Sequence, residues 1–429
     1  MIKLKNIHLE NFKGFHDFDI EFEDNITCIA GINGSGKSSL LKASSEAISW
    51  IIEQIMPKKN KPILISNDDI SIGKDSSKMI ASIQGENFTN LEIVIESKNI
   101  TKRVRQQKTE VKQNIEAQRY FSSLREEAIE SDDKSLPVLI YYPCNRSDLA
   151  MKMRLSKQRE DLSDKYKVYD NALESVAKFD DFFIWFRDRE DRENAEKITL
   201  FDKGDSTNIY SDSYLDAVRN AILAFAPGFD TIRISKERNR MLAKKGGEEI
   251  DVSNLSDGEK SIIVMFGDIA RRLAMANPGN RNPLDGDGII LIDEIELHLH
   301  PSWQRKIINV LSSTFPHCQF IITTHSPQVL GEVNSKNIRL LSNFKVSTPR
   351  QSYGLDTNSV LATLMSDGKE VLTKNAKVDK QINEISKLID EEKFDIAKKK
   401  LSDLEEKLNG NTPDTIRLSS LLTMLSGGK

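Results

Sequence analysis

The residue run at positions 31–38 has the types and the spacing needed to bind a chain of phosphate groups. It reads GINGSGKS and matches the pattern G-x-x-x-x-G-K-[ST] at every fixed position. Glycines let the backbone curl so that successive N–H groups point at one anion, and the start of the following helix adds its positive dipole. Lys37 would neutralise the β- and γ-phosphates of a nucleoside triphosphate, and the Ser38 hydroxyl would bind Mg²⁺. The predicted nucleotide-binding residues are Gly31, Asn33, Gly34, Ser35, Gly36, Lys37, Ser38 and Ser39.

Carboxylates and a histidine follow two other apolar runs. Residues 288–292 read GIILI and are followed by Asp293 and Glu294. Residues 319–324 read QFIITT and are followed by His325. Apolar runs of this length are typical of buried parallel strands, and functional side chains collect at the carboxyl edge of such a sheet. These three residues are therefore candidates for chemistry on a bound nucleotide.

A fourth segment combines a helix start with small and polar residues. Residues 254–261 read NLSDGEKS, in which Ser256 and Glu259 have the spacing of a capping box. Apolar residues then recur at helical spacing and form one face, which contains Ile262, Ile263, Phe266, Ile269, Ala270 and Leu273. We expect this helix to end near residues 277–279, where the sequence reads NPG.

The elements around these segments predict an α/β fold with a central, mostly parallel sheet. The chain has 429 residues, of which 38% are hydrophobic, enough for one large core or two modest domains. The net charge of −4 gives no argument for nucleic-acid binding. No apolar run is long enough to span a membrane, and the N-terminus lacks the apolar core of a signal peptide. We expect a cytoplasmic protein whose three separated cysteines are reduced residues in apolar surroundings: Cys28, Cys144 and Cys318.

The order of the four segments resembles that of ABC-type ATPases, including their SMC and Rad50 relatives. In that family the helix start is the signature motif, L-S-x-G-[EQ], which residues 255–259 match. The resemblance implies an ABC-type P-loop fold with an antiparallel N-terminal sheet, a helical insertion and a C-terminal helical tail. It implies ATP and Mg²⁺ as ligands, with Ser38 and Asp293 on the metal. It assigns Glu294 as the base that activates water, and His325 as the residue that contacts the γ-phosphate.

The same resemblance implies a homodimer or a higher homo-oligomer. In the family, signature residues close over nucleotide held by the phosphate loop of the partner. Here those residues would be Ser256 and Gly258, followed by Glu259. ATP is therefore expected to stabilise a head-to-tail dimer.

Further segments narrow the resemblance to stand-alone prokaryotic ATPases related to the OLD proteins. Residues 7–15, IHLENFKGF, resemble the first strand pair of SMC-like and OLD-like ATPases, and residues 293–304, DEIELHLHPSWQ, look like their extended Walker B region. Residues 182–194 look like the insertion helix of this group. The group includes the ATPase subunit of Septu anti-phage systems and its retron-associated relatives. In Septu the partner is a separate HNH nuclease, so the resemblance implies a regulatory ATPase that controls such a nuclease through ATP-dependent dimerisation.

Two other functions remain open at this point. A DNA-repair ATPase similar to SMC and Rad50 proteins would bind DNA directly. A basic run could track DNA phosphates, or it could be a solvated hairpin and helix face; it comprises Lys98, Lys102, Arg103, Arg105, Lys108 and Lys112. A transporter ATPase is disfavoured, because it would need a membrane partner.

Four regions organise the chain. They are a first ATPase lobe at 1–150, a helical insertion at 151–250, a second lobe at 251–350, and a helical tail at 351–429. The tail is expected to contact an oligomer or a partner, or else to cap the ATPase core of the same chain. Within the tail, apolar residues at four-three-four spacing predict helices over 378–389 and 397–408, and Pro413 starts a third. The glutamine loop of ABC proteins has no visible counterpart. Asn145 or Arg146 could substitute for it, or could lie in a surface turn.

Overall fold

The computed structural model describes residues 2–57, 65–86, 88–98, 108–111, 115–144, 164–173, 179–203, 210–226, 228–237, 239–364 and 376–426. The strands in these ranges are β1 (Ile2–Phe12), β2 (Phe15–Glu21), β3 (Ile26–Ala30), β4 (Ser76–Gly85), β5 (Phe88–Lys98), β6 (Lys108–Val111), β7 (Val138–Tyr142), β8 (Phe229–Ser235), β9 (Arg240–Lys245), β10 (Glu248–Asp251), β11 (Gly288–Ile292), β12 (Cys318–Thr324), β13 (Ile338–Ser342) and β14 (Lys345–Ser347). The α-helices are α1 (Lys37–Ile55), α2 (Ile115–Glu130), α3 (Phe179–Asp202), α4 (Ser213–Phe225), α5 (Asp257–Ala276), α6 (Pro301–Gln304), α7 (Ile307–Thr314), α8 (Pro327–Leu330), α9 (Thr357–Leu364), α10 (Ala376–Asp390), α11 (Phe394–Leu408) and α12 (Pro413–Ser426). The chain divides into two compact units, Met1–Val360 and Leu361–Lys429.

The central sheet of the first unit contains, among the described residues, six strands in the order β14-β13-β3-β12-β11-β7. All neighbours run parallel except β13 and β14. Strands β3, β11 and β12 are buried at every residue, which explains why their sequences are almost continuously apolar. Because these strands are parallel, the segments that follow them meet at one edge of the sheet. The predicted α/β fold with a mostly parallel central sheet is confirmed.

An antiparallel sheet lies at the N-terminus, with the order β2-β1-β4-β5-β6, and confirms that part of the predicted fold. The fully buried Gln319, on β12, joins this sheet to the central one. Its side-chain carbonyl accepts the Leu4 N–H at 2.8 Å, and its NH₂ group donates to the carbonyls of Leu4 and Glu23, each at 2.8 Å. A polar residue is stable in this apolar strand because its hydrogen-bonding groups have partners.

The region assigned by sequence to a helical insertion contains helices α3 and α4 and a sheet in addition. Strands β8, β9 and β10 form an antiparallel sheet in the order β10-β9-β8. This sheet ends at Asp251, which caps a short 3₁₀ turn just before α5. The described part of the insertion is therefore of mixed composition.

The second unit contains the helices predicted from the tail sequence. Helices α10, α11 and α12 share an apolar cluster that comprises Ile382, Ile385, Ile389, Ala397, Leu401, Leu404, Leu418 and Leu422. The four-three-four spacing of these residues places them on one face of each of the first two helices. In both units, no helix that the structure describes combines the length and apolarity needed to cross a membrane.

The cysteines are reduced, but their surroundings differ. Cys28 and Cys318 are buried in neighbouring strands of the central sheet, whereas Cys144 is exposed just after β7. The expectation of an apolar environment is therefore wrong for Cys144, because the chain leaves the sheet two residues earlier.

Helix α5 is buried along almost its whole length, and it carries a network of charges into the interior. Asp268 accepts hydrogen bonds from Arg271 at 2.6 Å, from Arg272 at 2.9 Å and from the Tyr142 hydroxyl at 2.9 Å. Arg272 also donates to the carbonyls of Val168 and Asp170. Burial opposes ionisation of Asp268, but the two guanidinium groups hold the pKa of its carboxyl well below the ordinary value. The network ties α5 to the end of β7.

The substitution Asp268→Ala is expected to destabilise the protein by about 3–5 kcal/mol, because it leaves two buried guanidinium groups without their counter-charge. Urea unfolding measures this loss. The control is Glu249→Ala, which removes one partner of the half-exposed Arg233–Glu249 pair and should cost less than about 1 kcal/mol. Equal losses in the two variants would contradict the prediction.

A second buried carboxyl, Glu46, lies on α1 and lacks such compensation. Neither carboxylate oxygen has a hydrogen-bond partner in the described structure, and the Lys42 ammonium lies 4.0 Å away. Burial, helped by the charge of Asp69, raises the pKa of Glu46 to about 8. Between its ordinary pKa and this value, the folded protein holds a proton that the unfolded chain releases, so stability falls as pH rises through that window.

The isosteric variant Glu46→Gln should remove this pH dependence. We expect the variant to match the wild type near pH 4 and to exceed its free energy of unfolding by a few kcal/mol at pH 9, since each pKa unit corresponds to about 1.4 kcal/mol. Urea titrations at pH 4, 7 and 9 provide the test. Parallel pH profiles for the two proteins would show that Glu46 is ionised in the folded state.

Candidate nucleotide site

The phosphate loop connects β3 to α1 and depends on two glycines in the left-handed region. Gly34 has φ = 81° and Gly36, the N-cap of α1, has φ = 103°. Other residues adopt these angles only at a cost. Gly31 is needed for a different reason, because a Cβ atom there would lie 2.2 Å from the Leu341 carbonyl oxygen. The buried Ser35 hydroxyl, inside the loop, has no hydrogen-bond partner among the described residues.

The side chain of Lys37 folds back into the loop. Its ammonium group donates to the carbonyls of Gly31 at 2.9 Å and Ile32 at 3.0 Å. Burial lowers the pKa of Lys37, and the charges of Asp293, Glu294 and Glu296 act in the opposite direction. The loop therefore combines a buried cation with backbone N–H groups at a helix start, an arrangement suited to a phosphate.

The acidic turn, residues 293–296, follows β11 and is held by neighbouring strands. The Asp293 N–H donates to the Tyr142 carbonyl at 2.8 Å. The Thr323 hydroxyl donates to the buried Asp293 carboxylate at 2.5 Å and accepts the Glu294 N–H at 2.8 Å. Glu294 has φ = 47°, a left-handed conformation that costs about 1–2 kcal/mol for a residue with a side chain. Such strain persists where surrounding contacts fix the backbone, and it is found at functional sites.

His325 follows β12 and lies in the electrostatic field of the same groups. Burial and the Lys37 charge lower the pKa of His325, while Glu294 and Asp293 oppose the shift. The imidazole is therefore neutral at neutral pH. The backbone N–H of His325 donates to the Glu296 carboxylate. The structure thus brings together Lys37, Asp293, Glu294 and His325, as their sequence positions predict.

The Ser256 segment forms the start of α5 with the predicted capping box. Ser256 donates its N–H to the Glu259 carboxylate at 3.0 Å, and its hydroxyl accepts the Glu259 N–H at 3.4 Å. Lys245 of β9 also binds Glu259, at 2.6 Å. Burial opposes ionisation of Glu259, but the hydrogen bonds from Lys245 and Ser256 lower its pKa. Ser256 itself is exposed.

Gly258 packs directly on the segment that follows the acidic turn. A Cβ atom at Gly258 would lie 2.5 Å from the His298 carbonyl oxygen, and only glycine allows this approach. The start of α5 is therefore in direct contact with the segment that follows the acidic turn.

An aromatic residue beside the phosphate loop was missed by the sequence analysis. Asn343 and Phe344 connect β13 to β14 with φ = 47° and φ = 56°, a pair of angles for which asparagine followed by glycine is preferred. The Phe344 ring lies over Gly14, where a Cβ atom would be 2.1 Å from it, and packs edge-on against Phe15 at 5.1 Å. A phenylalanine at the glycine position of a two-residue hairpin was the available signal.

Some of the predicted residues lie outside the described part of the chain. Two of them, Asn145 and Arg146, are the possible substitutes for the glutamine loop. The others belong to the basic run: Lys102, Arg103, Arg105 and Lys112. Lys98, which is described, lies 3.6 Å from the Glu96 carboxylate.

Comparison with known proteins gives consistent matches to one group. Residues 26–331 match a family described as "AAA domain, putative AbiEii toxin, Type IV TA system". The Retron Vc95 probable ATPase of Vibrio cholerae is 32% identical over 85% of this chain and 79% of its own length. The Retron Ec83 probable ATPase of Escherichia coli is 28% identical over 92% of this chain and 81% of its own length. The Septu protein PtuA of Bacillus thuringiensis is 23% identical over 77% of this chain and 73% of its own length.

The substitution Thr323→Val tests how the acidic turn is held. It keeps the side-chain shape but removes the donor to Asp293 and the acceptor for the Glu294 N–H, which should cost about 2–4 kcal/mol. Urea unfolding measures the cost, with Thr199→Val on the exposed face of α3 as a β-branched control that should change stability by less than about 0.5 kcal/mol. A loss at Thr323 no larger than in this control would mean that the turn does not depend on the hydroxyl.

Proposed function

This chain belongs to the AAA-domain ATPase family that matches residues 26–331, and we propose that it is the regulatory ATPase subunit of an anti-phage defence complex. The observation that carries the proposal is the collection of Lys37, Asp293, Glu294 and His325 at one edge of the central sheet. In the proposed complex, ATP binding and hydrolysis control a separate nuclease of HNH type.

The phosphate loop holds the β- and γ-phosphates of ATP. Its backbone N–H groups and the Lys37 ammonium neutralise the charge that the phosphates carry. The Ser38 hydroxyl and the Asp293 carboxylate are oxygen donors of the kind that Mg²⁺ prefers, and Mg²⁺ bound there would offset further negative charge on ATP. The unpartnered Ser35 hydroxyl gives the loop one more group for a phosphate oxygen.

Hydrolysis proceeds by in-line attack of water on the γ-phosphate, which breaks its bond to the bridging oxygen of the β-phosphate and releases ADP and inorganic phosphate. Glu294 orients the water and accepts its proton, and the Thr323 hydroxyl holds the backbone N–H of this residue. His325, neutral at the working pH, contacts the γ-phosphate through its ring. Lys37 stabilises the charge that develops on the transferred group.

A second copy of the chain completes the site. Ser256 is exposed at the start of α5 and Gly258 is buried two residues later, at a helix N-terminus whose dipole favours an anion. In a head-to-tail dimer these residues and Glu259 approach the nucleotide of the partner. ATP then bridges two protomers, and its hydrolysis releases them.

The defence role rests on the relatives. The similar proteins are named as retron probable ATPases and as a Septu protein, and the chain is similar to them over most of its length. An HNH nuclease subunit is the proposed partner, as the resemblance to Septu systems implies.

Mass photometry of the Glu294→Gln variant tests this function. The variant should bind ATP but hydrolyse it at least about 100-fold more slowly than the wild type, because the base is lost. We expect ATP to convert it to a stable dimer or larger complex, and we expect that complex to take up the nuclease encoded by the neighbouring gene.

The control is Lys37→Ala, which should neither bind ATP nor assemble. If the neighbouring gene encodes no effector, or if Glu294→Gln assembles only on added DNA and ignores its neighbour, the defence proposal fails. The second result would favour a DNA-repair ATPase that clamps duplex directly.

A further inference from the structure

Glu296 is the last residue of the acidic turn, and its side chain points into the protein. One carboxylate oxygen accepts the backbone N–H of His325, and the other is buried from solvent. Burial raises the pKa of Glu296, whereas the His325 N–H lowers it. The Glu296 carboxylate thus links the acidic turn to the loop that carries His325, the candidate ligand of the γ-phosphate.

A second contact joins the same two segments nearby. The Gln304 side-chain carbonyl accepts the Ser326 hydroxyl at 2.7 Å, and its NH₂ group donates to the Leu299 carbonyl at 2.8 Å. The Ser326 hydroxyl in turn accepts the Val329 N–H and caps α8. Residues 325 and 326 are therefore attached side by side to the segment 296–304, one through its backbone and one through its side chain.

These contacts separate the task of Glu296 from that of Glu294. The turn at Glu294 is left-handed, and the Glu296 carboxylate accepts the His325 backbone N–H. A hydrogen bond from a backbone N–H to a buried carboxylate is strong and holds the backbone in place.

We propose that Glu296 is a positioning residue for ATP hydrolysis, which holds the backbone of His325 so that its ring reaches the γ-phosphate. The inference rests on the proposed ATPase reaction and adds a residue to it. Without the carboxylate, the His325 N–H has no acceptor and the ring leaves its place, and a shift of about 1 Å at a reacting group can cost about 100-fold in rate.

The test compares Glu296→Ala, Glu296→Met and Glu296→Gln by steady-state ATP hydrolysis and by binding of a fluorescent ATP analogue. Alanine and methionine remove the acceptor, and methionine keeps the volume of the side chain. Both should lower kcat about 10- to 100-fold and leave KM and nucleotide affinity within about threefold. Glutamine retains an acceptor oxygen at the same reach and should stay within about threefold of the wild type.

A double-mutant cycle with His325→Ala decides whether Glu296 acts through the histidine. In the His325→Ala background, Glu296→Met should change kcat by less than about twofold, because the ring it positions is gone. The matched control is Glu332→Ala, which removes a carboxylate 3.7 Å from Arg305 in a neighbouring segment and should leave kcat unchanged.

Three results would overturn the proposal: a full, additive loss in the double variant, an equal loss in Glu296→Gln and Glu296→Met, or normal kcat in Glu296→Met. Thermal unfolding identifies variants that lose rate because they unfold. ATP hydrolysis by the wild type separates the two proposals. A wild type that does not hydrolyse ATP refutes the proposed function. A wild type that hydrolyses ATP beside an unaffected Glu296→Met refutes only the positioning role.

Discussion

The parallel pairing of β3, β12 and β11 is the constraint on which the rest of the molecule depends. The phosphate loop lies more than 250 residues before the acidic turn and His325 in the chain, yet each of the three follows one of these strands. Parallel strands end at the same edge of a sheet, so the segments that follow β3, β11 and β12 lie side by side. The site is therefore a consequence of sheet topology, and helices α1 and α5 and the N-terminal sheet pack against strands of that sheet.

Covering the sheet creates a problem of buried charge, which the fold solves in different ways. Asp268 is neutralised by two arginines of its own helix and bound by the Tyr142 hydroxyl. Glu46, with no hydrogen-bond partner in the described structure, has a raised pKa and is neutral at pH 7. Charge next to the phosphate loop is different again, since Lys37 faces three carboxylates that also serve the candidate site. Buried charges thus join elements of the fold at Asp268 and line the candidate nucleotide site at Lys37.

Two residues with strained backbones lie at the same edge. Glu294 and Phe344 both adopt left-handed conformations that glycine would accept without cost. Glu294 is fixed by the hydroxyl of Thr323, and Phe344 by the glycines over which its ring packs. At both positions the side chain takes part in the site or its packing, so glycine could not replace it. Neighbouring tertiary contacts offset the backbone strain. Glu296 and Gln304 likewise hold the loop of His325 in place, through hydrogen bonds from the His325 N–H and the Ser326 hydroxyl.

The sequence by itself determined the phosphate loop, the strands before Asp293 and His325, the capping box of Ser256 and Glu259, and the helices of the tail. These features are local: periodicity, glycine placement and capping spacing are properties of short segments, so a short segment is enough to recognise them. The family resemblance then supplied roles for residues that already had positions. Only the tertiary structure decided that Thr323 bonds to Asp293 and Glu294, that Asp268 meets Tyr142, that Phe344 covers Gly14, and that Glu296 holds His325. Each of these contacts joins segments far apart in sequence, and a hydrogen-bond partner is chosen by where the folded backbone places it, which no local pattern records.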